Sequence, residues 1–134
     1  MDRKRRYFNR YKRAASDYLS DRSRLNSLLI QAKQKMEGGR SQLSEAYDTI
    51  LLFSRLLKAY IKGEYRDIPK EKVLLIIGAF IYLVSPIDAI FDFMPGGLID
   101  DAAIFIWLLD SMKDELAAFR EWERLSDEEI SDTL

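Results

Sequence analysis

Val73-Leu74-Leu75-Ile76-Ile77-Gly78-Ala79-Phe80-Ile81-Tyr82-Leu83-Val84 runs into Ser85-Pro86-Ile87-Asp88-Ala89-Ile90-Phe91-Asp92-Phe93-Met94-Pro95-Gly96-Gly97-Leu98-Ile99-Asp100-Asp101, and the fold turns on this stretch. Its first part is apolar on every side. A helix of that kind lies either at the centre of a protein core or in lipid. Ser85-Pro86-Ile87-Asp88 reads as a new helix start, with Ser at the N-cap, Pro at the first helical position and a carboxylate two residues later. Pro95-Gly96-Gly97 breaks the chain again.

Outward from this stretch, the rest of the chain is amphipathic at helical period. Tyr7, Tyr11, Ala14, Tyr18, Leu25, Leu28, Leu29, Ala32 and Met36 fall at spacings of three and four, predicting one helix from about Tyr7 to Met36. Gly38-Gly39 stops it. Ser41 is the expected N-cap of a second helix, with Ala46, Tyr47, Ile50, Leu51, Phe53, Leu57, Tyr60 and Ile61 on its buried face, closed by Gly63. Pro69 suits the first turn of the apolar helix. A last helix is predicted from about Asp100 to Trp122, with Ile106, Leu109, Met112, Leu116 and Phe119 inward. Ser126-Asp127-Glu128-Glu129 reads as the start of a short terminal helix. No segment alternates at period two.

The predicted architecture is therefore all-α. An N-terminal antiparallel helical hairpin packs on a shorter apolar hairpin whose turn is rich in Pro, Gly and Asp. Within one domain this gives an amphipathic hairpin at 1–66, an apolar hairpin at 67–124 and an acidic tail at 125–134. The apolar stripes are heptad-like only briefly. Packing onto the rest of the chain is thus favoured over an intermolecular coiled coil, and a homo-oligomer stays open.

Composition narrows the chemistry. The 134 residues are 48% hydrophobic, enough for a real core, and contain neither Cys nor His. Thiol nucleophiles, imidazole bases, disulfides and the usual zinc ligands are absent from the sequence. The net charge of -1 conceals a strong polarity. Residues 1–40 carry twelve Lys/Arg against four Asp/Glu, and residues 110–134 carry three against nine. At the basic end Arg3, Lys4, Arg5, Arg6, Arg10, Lys12 and Arg13 are interleaved with Tyr7, Phe8 and Tyr11. Cations with interfacial aromatics suit an anionic membrane surface, at about 1 kcal/mol per basic residue near the surface. A solvated end, or nucleic-acid phosphates, are the competing readings. The acidic remainder of the chain and the lack of a groove-reading motif weigh against nucleic acid. The basic N-terminus has no apolar run after it, so no secretory signal is expected, and with no Cys the expected location is cytoplasmic, with or without membrane association.

The uncharged run from Val73 to Ile87 is fifteen residues long. As a helix it reaches about 22 Å, against about 30 Å of hydrocarbon. A full span is disfavoured, and an ionised Asp at the bilayer centre would cost about 3 kcal/mol. A soluble core and a shallow membrane-embedded hairpin both remain.

Ser85, Asp88, Asp92, Asp100 and Asp101 form the densest polar cluster of this half, with no Lys or Arg between Val73 and Leu109. Asp88 and Asp92 share a helix face. The leading reading is structural: Asp88 caps the short helix, Asp100 or Asp101 caps the last one, and cations from the first two helices pair with the rest. The alternative is a hard cation, Mg²⁺ or Ca²⁺, held by Asp88, Asp92, Asp100 and Asp101, in a metal-binding protein or a metal-dependent hydrolase. Carboxylates without a base, nucleophile or phosphate loop carry little catalytic signal, so no catalytic residue and no cofactor are assigned.

Tyr82-Leu83-Val84-Ser85-Pro86-Ile87-Asp88, then Asp92, Pro95, Gly97 and Asp100-Asp101, resembles the signature of the YkvA-like bacterial domain of unknown function over about Pro69 to Leu109. Phe91 stands where that pattern has a Pro, and the stretch from Pro95 to Asp100 is about one residue short. The resemblance implies a largely uncharacterised family, often described as membrane proteins, with no established activity to carry over. The resulting expectation is a non-enzymatic interaction or scaffold protein on the cytoplasmic side. It would be membrane-associated, with an anionic membrane surface or another protein as partner.

Overall fold

α4, Lys70–Val84, is the apolar helix, and ten of its fifteen residues are buried, from Val73 to Leu83. A helix without a polar face has to be covered on all sides, and the remaining elements are arranged to do so. The computed structural model describes residues 12–38, 46–84 and 101–133, with side chains described from Phe105 to Glu128 in the last segment. Six helices and no strand occur among the described residues, as the all-α reading expects. They are α1 (12–19), α2 (Arg22–Gly38), α3 (Tyr47–Ile61), α4, α5 (Asp101–Ser111) and α6 (Lys113–Thr133).

The single N-terminal helix expected from Tyr7 to Met36 is two helices. Ser20 donates its hydroxyl to the Asp17 carbonyl at 3.0 Å, and the Asp21 amide reaches only back to the Tyr18 carbonyl at 3.2 Å. Asp21 then caps α2: its carboxylate accepts the Arg24 amide at 3.2 Å, and its carbonyl accepts the Leu25 amide at 3.0 Å. Short polar side chains that compete for backbone bonds terminate one helix and start the next. The seven-position step in the apolar stripe from Tyr18 to Leu25, with Ser20 and Asp21 inside it, is the sequence signal.

α2 buries Leu25, Leu28, Leu29, Ala32 and Met36. Its main partner is α4, with α3 a lesser one. α3 starts at Tyr47 with Ala46 at its N-cap, later than the Ser41 start expected, and Ser41 lies outside the described residues. Its end is a Schellman turn. Gly63 donates to the Tyr60 carbonyl at 3.0 Å and Glu64 to the Ala59 carbonyl at 2.9 Å, with Gly63 at φ +77°. A Cβ on Gly63 would meet nothing closer than 3.9 Å, so backbone conformation alone selects glycine there.

The predicted last helix also divides. Its turn falls at Met112, which is buried, while the Met112 amide still bonds Leu108 and the Leu116 amide bonds Met112, both at 2.9 Å. α6 then continues to Thr133 and absorbs the segment expected to form a separate terminal helix. α5 buries Phe105 and Leu108 and leaves Ile106 exposed, the reverse of the predicted phase. It too is apolar nearly all round, so periodicity could not choose its inner face.

The core centres on Phe53, Phe80 and Phe105, one ring from each of α3, α4 and α5. Phe80 and Phe105 meet edge to face at 5.2 Å, and Phe53 lies 6.1 Å from Phe105. A second cluster fastens α6, with Tyr65 against Phe119 at 5.1 Å and Trp122 at 5.2 Å. Truncating the shared ring, Phe105→Ala, is expected to cost about 3–5 kcal/mol, read as a shift of the urea midpoint.

Candidate functional site

The resemblance places the candidate site where α4 leads into the Ser-Pro-x-Asp stretch and α5 leads out of it. The two ends of α4 are fastened differently. At the start, the Pro69 carbonyl accepts the Lys72 and Val73 amides at 3.0 and 3.2 Å. Glu71, in the first turn, suits the positive end of the helix dipole and pairs with Lys12 of α1 at 2.8 Å. Lys72 makes a hydrogen-bonded ion pair with Glu115 of α6. That bond holds the Glu115 carboxyl below its ordinary value, against the upward push of burial. Tyr65 is pushed up, first by burial and then by the charges of Asp67 and Glu115.

At the other end, Lys35 of α2 donates to the Leu83 carbonyl at 2.5 Å. Pro86 has no amide hydrogen, so the α-helical ladder cannot continue past it in the usual way. An ammonium group is a favourable partner for carbonyls at a helix C-terminus. A cation from α2 is thus delivered two residues before Ser85, in a stretch, Val73 to Leu109, that has no Lys or Arg of its own. The partner of Lys35 is a backbone carbonyl; the expected pairing of cations from the first helices with Asp88, Asp92, Asp100 and Asp101 falls on residues whose side chains lie outside the described ones.

Asp101 is the first residue of α5. Ser85, Pro86, Asp88, Asp92, Pro95, Gly97 and Asp100 lie outside the described residues, as does the side chain of Asp101. The same holds for Arg3, Lys4, Arg5, Arg6 and Arg10. Lys12 is half-buried in its pair with Glu71, and Arg13 is exposed. Among the described residues, no group of three or more carboxylates could hold a metal. No described helix is long and apolar enough to cross a membrane.

Two concavities escaped the sequence reading. One, of about 530 Å³, is a groove between α2 and α3, floored by Leu29, Met36 and Phe80 and edged by Lys33, Arg55 and Lys58. The other, of about 410 Å³, is lined by Arg22, Arg66 and Lys70 beside Tyr60. The residues of each are far apart in the chain, and periodicity carries no information about which helix ends meet.

Comparison with known proteins places a family match on the same segment. The family described as "Protein of unknown function (DUF1232)" matches residues 72–107, which run from α4 into α5. The "Uncharacterized membrane protein YkvA" of Bacillus subtilis (strain 168) is 34% identical over 86 residues, covering 62% of this chain and 79% of that protein. The chain belongs to this YkvA-like family of unknown function. No solved structure matches it significantly.

Lys35→Met retains the packing stem and removes the ammonium. It is expected to lower stability by about 1.5–3 kcal/mol in urea titrations, the value of a hydrogen bond from a charged donor. Glu115 has a depressed folded pKa, so its contribution is present above its unfolded value of 4.5 and is lost as pH falls through the folded value. Glu115→Gln should therefore lower stability at pH 7 by about 1 kcal/mol after allowance for solvent screening. It should also flatten the acid limb of the stability curve below about pH 4.5.

Proposed function

We propose that this protein is a non-enzymatic helical interaction or scaffold protein. In this reading it holds to the anionic cytoplasmic face of a membrane through its basic, aromatic N-terminal stretch. One observation carries the reading: ten of the fifteen residues of α4 are buried, against α2, α3 and α5, so most of its apolar surface is used within the fold. Attachment then falls to the residues that suit an interface, Arg3, Lys4, Arg5, Arg6, Arg10 and Arg13 among Tyr7, Phe8 and Tyr11. This stretch joins the described fold at Lys12, anchored to Glu71 at the start of α4. The printed name of the Bacillus relative, a membrane protein, supports a membrane setting. Shaping and fastening the α4–α5 turn is the role assigned to the Asp motif, in keeping with the Lys35 contact at Leu83.

Flotation with phosphatidylglycerol-containing and pure phosphatidylcholine vesicles tests the proposal. Binding is expected to the anionic vesicles only and to weaken with salt. Replacing Arg3, Lys4, Arg5 and Arg6 by Gln should reduce the partition coefficient by about two to three orders of magnitude. A wild-type protein that floats with neither vesicle type refutes it.

A further inference from the structure

We infer that the pocket between the α1–α2 joint, the end of α3 and the start of α4 is a binding site for a phosphate group. This goes beyond the membrane reading, since none of the N-terminal cations belongs to it. Arg22, Arg66 and Lys70 line the pocket together with Ser20, Tyr60 and Leu19, and no acidic side chain is among its described lining residues.

The placement of these cations runs against local electrostatics. Arg22 is the first residue of α2 and Lys70 the first of α4, so both stand at the positive ends of helix dipoles, where carboxylates are favoured. The first turn of α2 contains no acid. The acids adjacent to these two cations in the chain are engaged elsewhere: Asp21 caps the Arg24 amide, and Glu71 is paired with Lys12. Neither Arg22 nor Lys70 makes an ion pair among the described residues.

Arg66 is already positioned, with its guanidinium 4.5 Å from the centre of the Tyr60 ring. The left-handed Gly63 turn brings the chain back alongside it, and Arg66 Nη2 lies 3.9 Å from where a Gly63 Cβ would stand. Stacking leaves the edge N–H groups of the guanidinium available to an anion. Three cations and two helix starts around one cavity fit a tetrahedral dianion better than a single carboxylate, because phosphate offers several oxygens to separate donors. A volume of about 410 Å³ also admits an organic group attached to the phosphate. A phospholipid headgroup and a soluble phosphate ester share this chemistry.

The test uses the full chain, the double variant Arg22→Gln/Lys70→Gln and the single variant Arg66→Gln. All three substituted side chains are exposed, and circular dichroism checks that the helices are retained. Two probes are applied: sodium phosphate against sodium chloride at matched ionic strength, read by thermal shift, and phosphatidylglycerol vesicles, read by flotation. The double variant is expected to melt higher than wild type in chloride, because like-signed charge has been removed from two helix starts. It should bind at least one probe about thirty-fold more weakly, and Arg66→Gln should lose binding to the same probe. Loss confined to the phosphate response identifies a soluble phosphate ester, and loss of flotation with the N-terminal cations intact identifies a lipid headgroup. A phosphate response in a wild type that does not float upholds the site while refuting the membrane reading. The inference is overturned by a wild type that answers neither probe, or by a double variant that answers both as wild type does.

Discussion

Enclosure of α4 is the constraint from which the rest of the architecture follows. A helix with Val, Leu, Ile, Phe and Tyr on every side gains about 1.5–3 kcal/mol for each large side chain removed from water, but only if other elements cover the whole circumference. α2, α3 and α5 supply that cover, and the ring cluster of Phe53, Phe80 and Phe105 lies where three of these helices meet. Charge is thereby excluded from the flanks of α4 and confined to its ends. Lys12, Glu71, Lys72 and Glu115 gather at the start, and Lys35 stands at the finish. The polar contacts of α4 are thus found at its two ends, where backbone groups remain to be satisfied.

The family match over residues 72–107 coincides with the part of the chain least able to fold alone. α4 and α5 are both apolar nearly all round, and a pair of such helices in water would leave outward faces uncovered. α2, α3 and α6 act as a jacket around the element that defines the family. The jacket also decides what faces outward: an acidic, ion-paired α6, with Arg124 between Glu121 and Glu128, and a basic region around α1 and the start of α2. The proposed roles in membrane and phosphate recognition both draw on cations that cluster in the sequence or around one cavity.

How far the sequence could be read depended on the contrast within each segment. α3 was legible because its polar and apolar positions differ sharply, so Ile50, Phe53 and Leu57 could be placed inward from spacing alone. Gly63 was legible as a stop because few residues other than glycine accept its backbone conformation. α5 was not legible in phase, and Ile106 took the outside position that the pattern had given to the core, because an apolar neighbour stood ready at every angle. The break at Ser20-Asp21 was overlooked because the stripe resumes in register after it, although Ser and Asp are the residues that cap helices. Of the candidate site, the acids and the Pro-Gly break were visible as a motif, whereas the Lys35 contact spans 48 positions of chain and has no local signature.

Helix content, the central apolar element and the segregation of charge were determined by the sequence itself, because each depends on residue type and on spacings of a few positions. Tertiary structure alone decided that α2 lies chiefly against α4, that Lys35 reaches Leu83, and that Arg22, Arg66 and Lys70 share one cavity. These are meetings between surfaces far apart in the chain. They are selected by which combination of faces covers α4 completely, a condition that no single segment contains.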